Sequence, residues 1–154
     1  CDADGKVRDL GWDGAGNATL RDSDVIFFNN LYHRSGNIRL TGDNRTGAGD
    51  GDDEQIIVKL NSLSNDYQKI VFIVQIYEGI KNNQHFGQVD NAFIRAVDAS
   101  GKEMVRFDLS GKGYDQQRSL LFAELVREIN GWKFNALGQS SASDNFLEWL
   151  KEYV

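Results

Sequence analysis

The sequence predicts an all-β to α+β fold, a β-sandwich of short strands with a C-terminal helix. Three observations carry that expectation. Short runs rich in β-branched and aromatic residues recur along the chain, the longest being Lys69 to Tyr77 (KIVFIVQIY). Sixteen glycines and no proline punctuate the links between them. Asn130-Gly131 lies between two alternating runs, the strongest short-range signal for a hairpin. At 154 residues the chain suits a single domain, spanning 1–154, with room for a sizeable core.

The first two dozen residues are rich in Gly, Asp and Asn and read as loops around short extended pieces. Val25 to Phe28 is a short apolar run of strand type. Ile38 and Leu40 alternate with polar neighbours, as on a half-buried strand. Thr41 to Glu54 contains only Ala48 as a residue suited to burial, so it is a loop. Gln55 to Leu60 returns to strand character, with Ile56, Val58 and Leu60 on one face. Lys69 to Tyr77 reads as a central strand covered on both sides. Ala92 to Val97 and Val105 to Leu109 are further strands. Leu121, Leu125 and Ile129 recur at helical spacing, but Asn130-Gly131 follows at once, so Leu121 to Ile129 is assigned as the first arm of a hairpin. Near the end, Ser143 or Asp144 is placed to cap a helix in which Phe146, Leu147, Leu150 and Val154 share a face.

Composition excludes several functional classes. The net charge is −6 and no basic stripe is present, which argues against nucleic acid and against anionic membranes. No segment is long and apolar enough to span a bilayer, and the polar start Cys1-Asp2-Ala3-Asp4-Gly5 does not resemble a signal peptide. Cys1 is the only cysteine, consistent with a reducing, cytoplasmic setting. Two histidines, His33 and His85, give little basis for a zinc site; both are expected at the surface or in loops. No nucleophile elbow, no Cys/His arrangement and no phosphate-binding glycine pattern is present. Gly47-Ala48-Gly49-Asp50-Gly51 is glycine-rich but acidic, which repels phosphate. Asp98, Asp108 and Asp115 are expected to serve turns. The tryptophans are expected in the core, with Trp12 in its polar loop the one most open to solvent.

The acid is concentrated in one place. Within Gly42 to Glu54 (GDNRTGAGDGDDE), five carboxylates fall in the twelve residues from Asp43 to Glu54, and only Arg45 offsets them. Interleaved glycines let such a loop fold back on itself. Calcium takes roughly 6–8 oxygen ligands from carboxylates, amides and backbone carbonyls, which is what this composition offers. Magnesium prefers water-rich sites with one or two carboxylates, so the density favours calcium. The spacing is not that of an EF-hand, because the glutamate touches the aspartates and a strand follows. The competing reading is a solvated acidic turn. Two ions side by side would let both Asp53 and Glu54 take part although strand side chains alternate.

Thr41 to Glu54 resembles the signature of the tellurium-resistance TerD family, and further segments follow in that family's order. They are Asp24 to Leu31 (DVIFFNNL), Lys69 to Val74, Phe86 to Arg95 (FGQVDNAFIR), Phe107 to Ser110, Phe122 to Leu125, and Gly131 to Phe134 with Gly138-Gln139. The resemblance runs from about Asp22 to Gln139. It implies a β-sandwich that binds calcium through the acidic loop, in systems that confer resistance to tellurite and other stresses. Carried over onto this chain, the implied ligands are Asp43, Asn44, Asp52, Asp53 and Glu54, with the carbonyl of Gly47 and the Asp50 carboxylate as further candidates. The chain departs from the family at its start. Gly5-Lys6-Val7-Arg8 comes almost at once and Gly11-Trp12-Asp13 follows it, the reverse of the family's order, so the N-terminal region is expected to be shortened or rearranged, with a sheet edge exposed.

The expectation is therefore a non-enzymatic stress-response domain that binds calcium and docks other proteins of a resistance system. The alternatives are a metal-dependent hydrolase using the same carboxylates and a scaffold whose calcium is purely structural. The sequence supplies metal ligands but no nucleophile or base beside them, which ranks the enzyme last.

Overall fold

The computed structural model describes residues 1–41, 54–89, 92–110 and 112–154. Its strands are β1 (Ile38–Leu40), β2 (Ile56–Val58), β3 (Lys69–Gln75), β4 (Phe93–Val97), β5 (Glu103–Asp108), β6 (Ser119–Glu128) and β7 (Gly131–Ser141). A short helix, α1 (Leu147–Leu150), runs into a single 3₁₀ turn. Short strands in sheets with a helix at the C-terminal end are what the sequence predicts. The chain folds as two compact units. The first comprises Cys1–Lys69, Arg127–Trp132 and Tyr153–Val154; the second comprises Ile70–Val126 and Lys133–Glu152.

The second unit has an apolar core between two sheets. One sheet has the order β3-β6-β7, and the other pairs β4 with β5 antiparallel, Ile94 opposite Phe107 and Ala96 opposite Val105. Leu120, Phe122 and Ala123 of β6 pack with Phe86 and Leu109, and Phe72, Val74, Ile94, Phe107 and Phe134 close around them. The Phe122 ring meets Phe107 edge-on at 5.5 Å. Gly138, at φ +67°, leaves the space that Phe107 fills, since a Cβ there would lie 3.2 Å from the Phe107 ring.

Two expectations are corrected in this unit. Lys69 to Tyr77 was expected to be the central, doubly covered strand. In the sheet that role falls to β6, whose residues Ser119 to Ala123 are all buried, while β3 is half-buried throughout. The continuous run Leu120-Leu121-Phe122-Ala123 is the sequence mark of burial on both faces, and the helical spacing of Leu121, Leu125 and Ile129 obscured it. At the C-terminal end, Phe146, Trp149, Leu150 and Tyr153 are half-buried, whereas Leu147 and Val154 stay 41% and 53% exposed. The Trp149 indole N–H donates to the buried Ser119 hydroxyl at 2.9 Å, which fixes that side chain inward. Asp144 does not cap the helix; its carboxylate accepts the Ile80 amide at 3.0 Å. Asn145 accepts the Leu147 amide instead.

The first unit is built from turns and polar side chains. One turn occurs three times among the described residues: Asp2 to Lys6, Asp13 to Asn17 and, in the second unit, Asp98 to Lys102. In each, the aspartate Oδ1 accepts the amides two and four residues on. In each, the residue after next-but-one is a glycine at positive φ: Gly5 (+73°), Gly16 (+83°) and Gly101 (+86°). These bonds hold the carboxyls of Asp2, Asp13 and Asp98 below the usual carboxylate range. The amides of Lys6 and Asn17 dominate in the first two, and the Ser100 hydroxyl in the third. The turn expected of Asp98 is present. Asp108 lies in β5 and pairs with Arg106 at 3.0 Å.

Val25 to Phe28 is not a strand. Phe27 and Asn30 exchange backbone bonds across a tight turn, and the Asn30 amide donates to the Val25 carbonyl at 2.7 Å. A buried side chain thus takes the place of a ladder partner. The sequence places β1 and β2 well: they pair antiparallel, with Ile38 opposite Val58 and Leu40 opposite Ile56.

Candidate functional site

The acidic loop is the connection of the β1–β2 hairpin. Both of its ends are described. The Thr41 amide donates to the Gln55 carbonyl at 2.9 Å, and the Gln55 amide donates to Thr41 Oγ1 at 3.0 Å. This clasp extends the ladder by one pair beyond Leu40 and Ile56 and brings the two ends of the loop together. Of the sequence-predicted ligands, Glu54 is described: it is exposed and directly precedes the clasp residue Gln55. Asp43, Asn44, Gly47, Asp52 and Asp53, with Asp50, lie outside the described residues. Among the described residues, no group of three or more His, Cys, Asp or Glu is placed to hold a metal ion. The donor set of the loop, five carboxylates with an amide and backbone carbonyls between two clasped ends, fits a hard divalent cation.

Behind the hairpin sits a network that the sequence did not reveal. Asp24 is 4% exposed and takes four donors. Its Oδ1 accepts from His33 Nε2 at 2.9 Å, Tyr67 Oη at 2.8 Å and Arg34 Nη2 at 3.0 Å. Its Oδ2 accepts the Asp9 amide at 2.9 Å. Burial pushes the Asp24 carboxyl up, but the His33 and Tyr67 bonds and the Arg34 charge outweigh it and hold it below the ordinary aspartate value. Burial, followed by the bond to Asp24, pushes the Tyr67 phenol up. Arg34 also pairs with Asp9 at 3.0 Å.

His33 was expected at the surface or in a loop. It is in a loop but buried, its side chain 2% exposed. Both ring nitrogens are held: Nδ1 accepts the Ser35 amide at 3.2 Å and lies 2.7 Å from the Ser35 hydroxyl. An acceptor Nδ1 leaves the proton on Nε2, facing Asp24. His85 is buried as well; its Nδ1 accepts the Gln116 amide at 3.2 Å. The one sequence signal for His33 was its setting in His33-Arg34-Ser35-Gly36-Asn37, a turn with Gly36 at φ +74°.

Ser35, His33 and Asp24 follow the order nucleophile, base, acid, so catalysis has to be weighed. The neighbouring amides are already engaged: Gly36 donates to the His33 carbonyl and Asn37 to Ser35 Oγ. Asp24 Oδ1 is shared among three donors, which fixes the carboxylate as a junction. The arrangement ties residues 9, 24, 33–34 and 67 together. A shallow depression of about 500 Å³ opens nearby between Trp12, Arg21 and Asp22. Trp12 is 62% exposed, as expected of its loop. The Asp9 and Asp13 carboxylates on its wall are engaged by Gly11 and by Ala15 and Asn17. Gly11 is required there, since a Cβ would collide with the Arg21 carbonyl.

Comparison with known proteins gives a consistent picture. The TerD domain family matches residues 9–153. The chain is 63% identical to tellurium resistance protein TerX of Serratia marcescens, across 100% of this chain and 73% of that protein. It is 40% identical to stress response protein SCP2 of Bacillus subtilis, across 84% of this chain and 65% of that protein. Among solved structures it resembles SCO6318 of Streptomyces coelicolor A3(2), a homologue of telluride resistance protein TerD. The TM-score is 0.61 at 25% identity, over 74% of this chain and 66% of that one. The chain thus spans about two thirds to three quarters of the length of these relatives.

Proposed function

The chain belongs to the TerD domain family of tellurium-resistance and stress-response proteins, and from that premise we propose that it is a calcium-binding module that acts by docking other proteins rather than by catalysis. The observation that carries this reading is the acidic loop mounted on a clasped hairpin. Five carboxylates lie in the stretch between Thr41 and Gln55, and those two residues are bonded to each other as one antiparallel pair. Asp43, Asn44, Asp52, Asp53, Glu54 and the Gly47 carbonyl would hold the ion. Bound calcium would neutralise the mutual repulsion of the carboxylates and give the loop one shape.

Docking is supported by the segment that pairs with β1 on its other edge. Tyr32 pairs across the ladder with Arg39, and Tyr32 is 64% exposed. An aromatic ring beside an exposed arginine is a common composition for a protein contact. The non-enzymatic part of the reading is supported by Asp24, whose oxygens are held by four donors. The setting we propose is cytoplasmic, which a single cysteine among 154 residues allows. No described helix is long and apolar enough to cross a membrane.

Calorimetric titration of the protein with calcium and with magnesium tests the reading. Calcium is expected to bind more tightly, and Asp53→Ala or Glu54→Ala to weaken it far more than Asp50→Ala, because Asp50 lies between two glycines and is least fixed. No heat on titration, or equal affinity for both ions, overturns the calcium assignment.

A further inference from the structure

The hairpin that carries the loop is bolted at its far end, and the bolt is the Asp24 network. The chain leaves His33, turns through Arg34 to Asn37, and returns along β1. The His33 amide donates to the Ile38 carbonyl, and the Leu40 amide to the Leu31 carbonyl at 2.8 Å. From Ile38 the clasp at Thr41 is three residues away, about 10 Å along a strand. At the turn, Asp24 holds both the His33 ring, through Nε2, and the Arg34 guanidinium, and Ser35 holds the other ring nitrogen, Nδ1. A buried carboxylate in a unit with so few buried apolar side chains is costly to desolvate, and such groups serve best where they fix one geometry among several. From these contacts we infer that Asp24, with His33 and Tyr67, is a positioning group: it sets the angle at which the β1–β2 hairpin presents its loop, and thereby the affinity of the loop for a divalent cation. The second half of this inference rests on the calcium reading proposed above.

Asp24, His33, Arg34 and Tyr67 bond to one another at the root of the hairpin. The influence of this network would travel along the hairpin whose root it holds, and coupling of this kind is reciprocal: if the network raises calcium affinity, calcium tightens the network. A purely structural role would make no such demand.

The test uses the whole chain and the variant Tyr67→Phe, which removes the bond that the hydroxyl donates to Asp24 and the one it accepts from Arg34, and keeps the ring that packs against His33 and Arg8. Arg127→Met is the control. Arg127 donates to the carbonyls of Tyr67, Leu63 and Ser64 in the same unit, so its loss loosens that unit without touching Asp24. Calcium titration is expected to show about fivefold weaker binding for Tyr67→Phe, within the usual range of coupling between sites, and an unchanged constant for Arg127→Met. Equal weakening in both variants overturns the inference, because general loosening then explains the loss. Amide exchange is read in parallel. In Tyr67→Phe the Leu40, Thr41 and Gln55 amides are expected to exchange faster even without calcium, and unchanged exchange at all three overturns the inference. In the unaltered protein calcium is expected to slow the Asp9 amide more than those of Leu120 and Phe122; equal slowing counts against it. The exchange arm without calcium stands even where no ion binds, so failure of the calcium reading and failure of the positioning role are told apart.

Discussion

The two units of this chain are held by different forces. In the second, side chains from two sheets exclude water from one another around Leu120 and Phe122. That attraction is nondirectional and scales with the area buried. In the first, Leu63 and Tyr67 are buried beside Ser23, Asn30 and His33, and a single carboxylate joins segments distant in sequence. Directional bonds in a buried network hold when every member is present and weaken together when one is lost. An apolar core gives a unit stability, whereas a polar one gives it a fixed geometry at less stability. The loop hangs from the unit that specifies geometry.

The largest expected effect lies in the apolar unit. Leu120 is fully buried, and Leu120→Ala removes methyl groups from a packed core, which costs about 3 kcal/mol. Denaturant unfolding followed through Trp149, which bonds to the adjacent Ser119, should report it. A loss below about 1 kcal/mol, the range of surface changes, would mean that the second unit does not depend on this core.

Calcium removal comes next and should act on the other unit. A ligand bound only by the folded state adds RT ln(1 + [L]/Kd), about 2.7 kcal/mol at a hundredfold excess over Kd. Chelator should therefore lower the melting temperature, with amide exchange quickening at Thr41 and Gln55 before Leu120. A melt unchanged between saturating calcium and chelator removes this contrast.

Asp24→Asn sharpens the comparison at about 2 kcal/mol, because a buried charged acceptor is replaced by one that cannot satisfy the same donors. Acid should imitate it. The folded Asp24 carboxyl is held below its unfolded value, so the unfolded chain takes up the proton first. Its contribution is complete above the unfolded pKa, near about 4, and is lost as pH falls through the folded value. Amides of Asp9 and His33 should lose protection in that window, and in Asp24→Asn that part of the pH dependence should vanish. A variant with the same acid profile as the parent would assign the effect to other carboxylates.

The sequence was most legible where burial is apolar. Period-two alternation located β1 and β2, and Asn130-Gly131 located the hairpin of β6 and β7. The turn itself sits one residue earlier than expected, on Ile129 and Asn130, with Gly131 alone at positive φ (+144°). The acidic stretch stands out by composition alone, since carboxylate density and glycine content are local properties. The Asp24 network does not, because directly bonded members lie up to 43 residues apart and nothing local marks a carboxylate as buried. His33 and Tyr67 have no periodic signature, and polar residues in a turn-rich stretch read as solvated until the fold brings their partners together. Val25 to Phe28 failed for the same reason: Asn30 satisfies that backbone with a side chain, which no strand pattern anticipates.

The smallest effects should erase the difference between the units altogether. Gly16 in the first and Gly101 in the second occupy the same position of the same aspartate turn, at φ +83° and +86°. Nothing lies within 4 Å of a Cβ built on either glycine. The cost of Gly16→Ala and of Gly101→Ala is therefore that of forcing an L side chain into the left-handed region, about 1 kcal/mol. It should be the same in both, because neither the apolar core nor the Asp24 network touches the substituted atom. Measured by denaturant unfolding, equal losses would show that the turns are local devices serving either kind of core. A clearly larger loss for Gly16→Ala would mean that the Asp13 turn also braces Trp12 and Asp9, extending the polar unit's cooperative network to the surface.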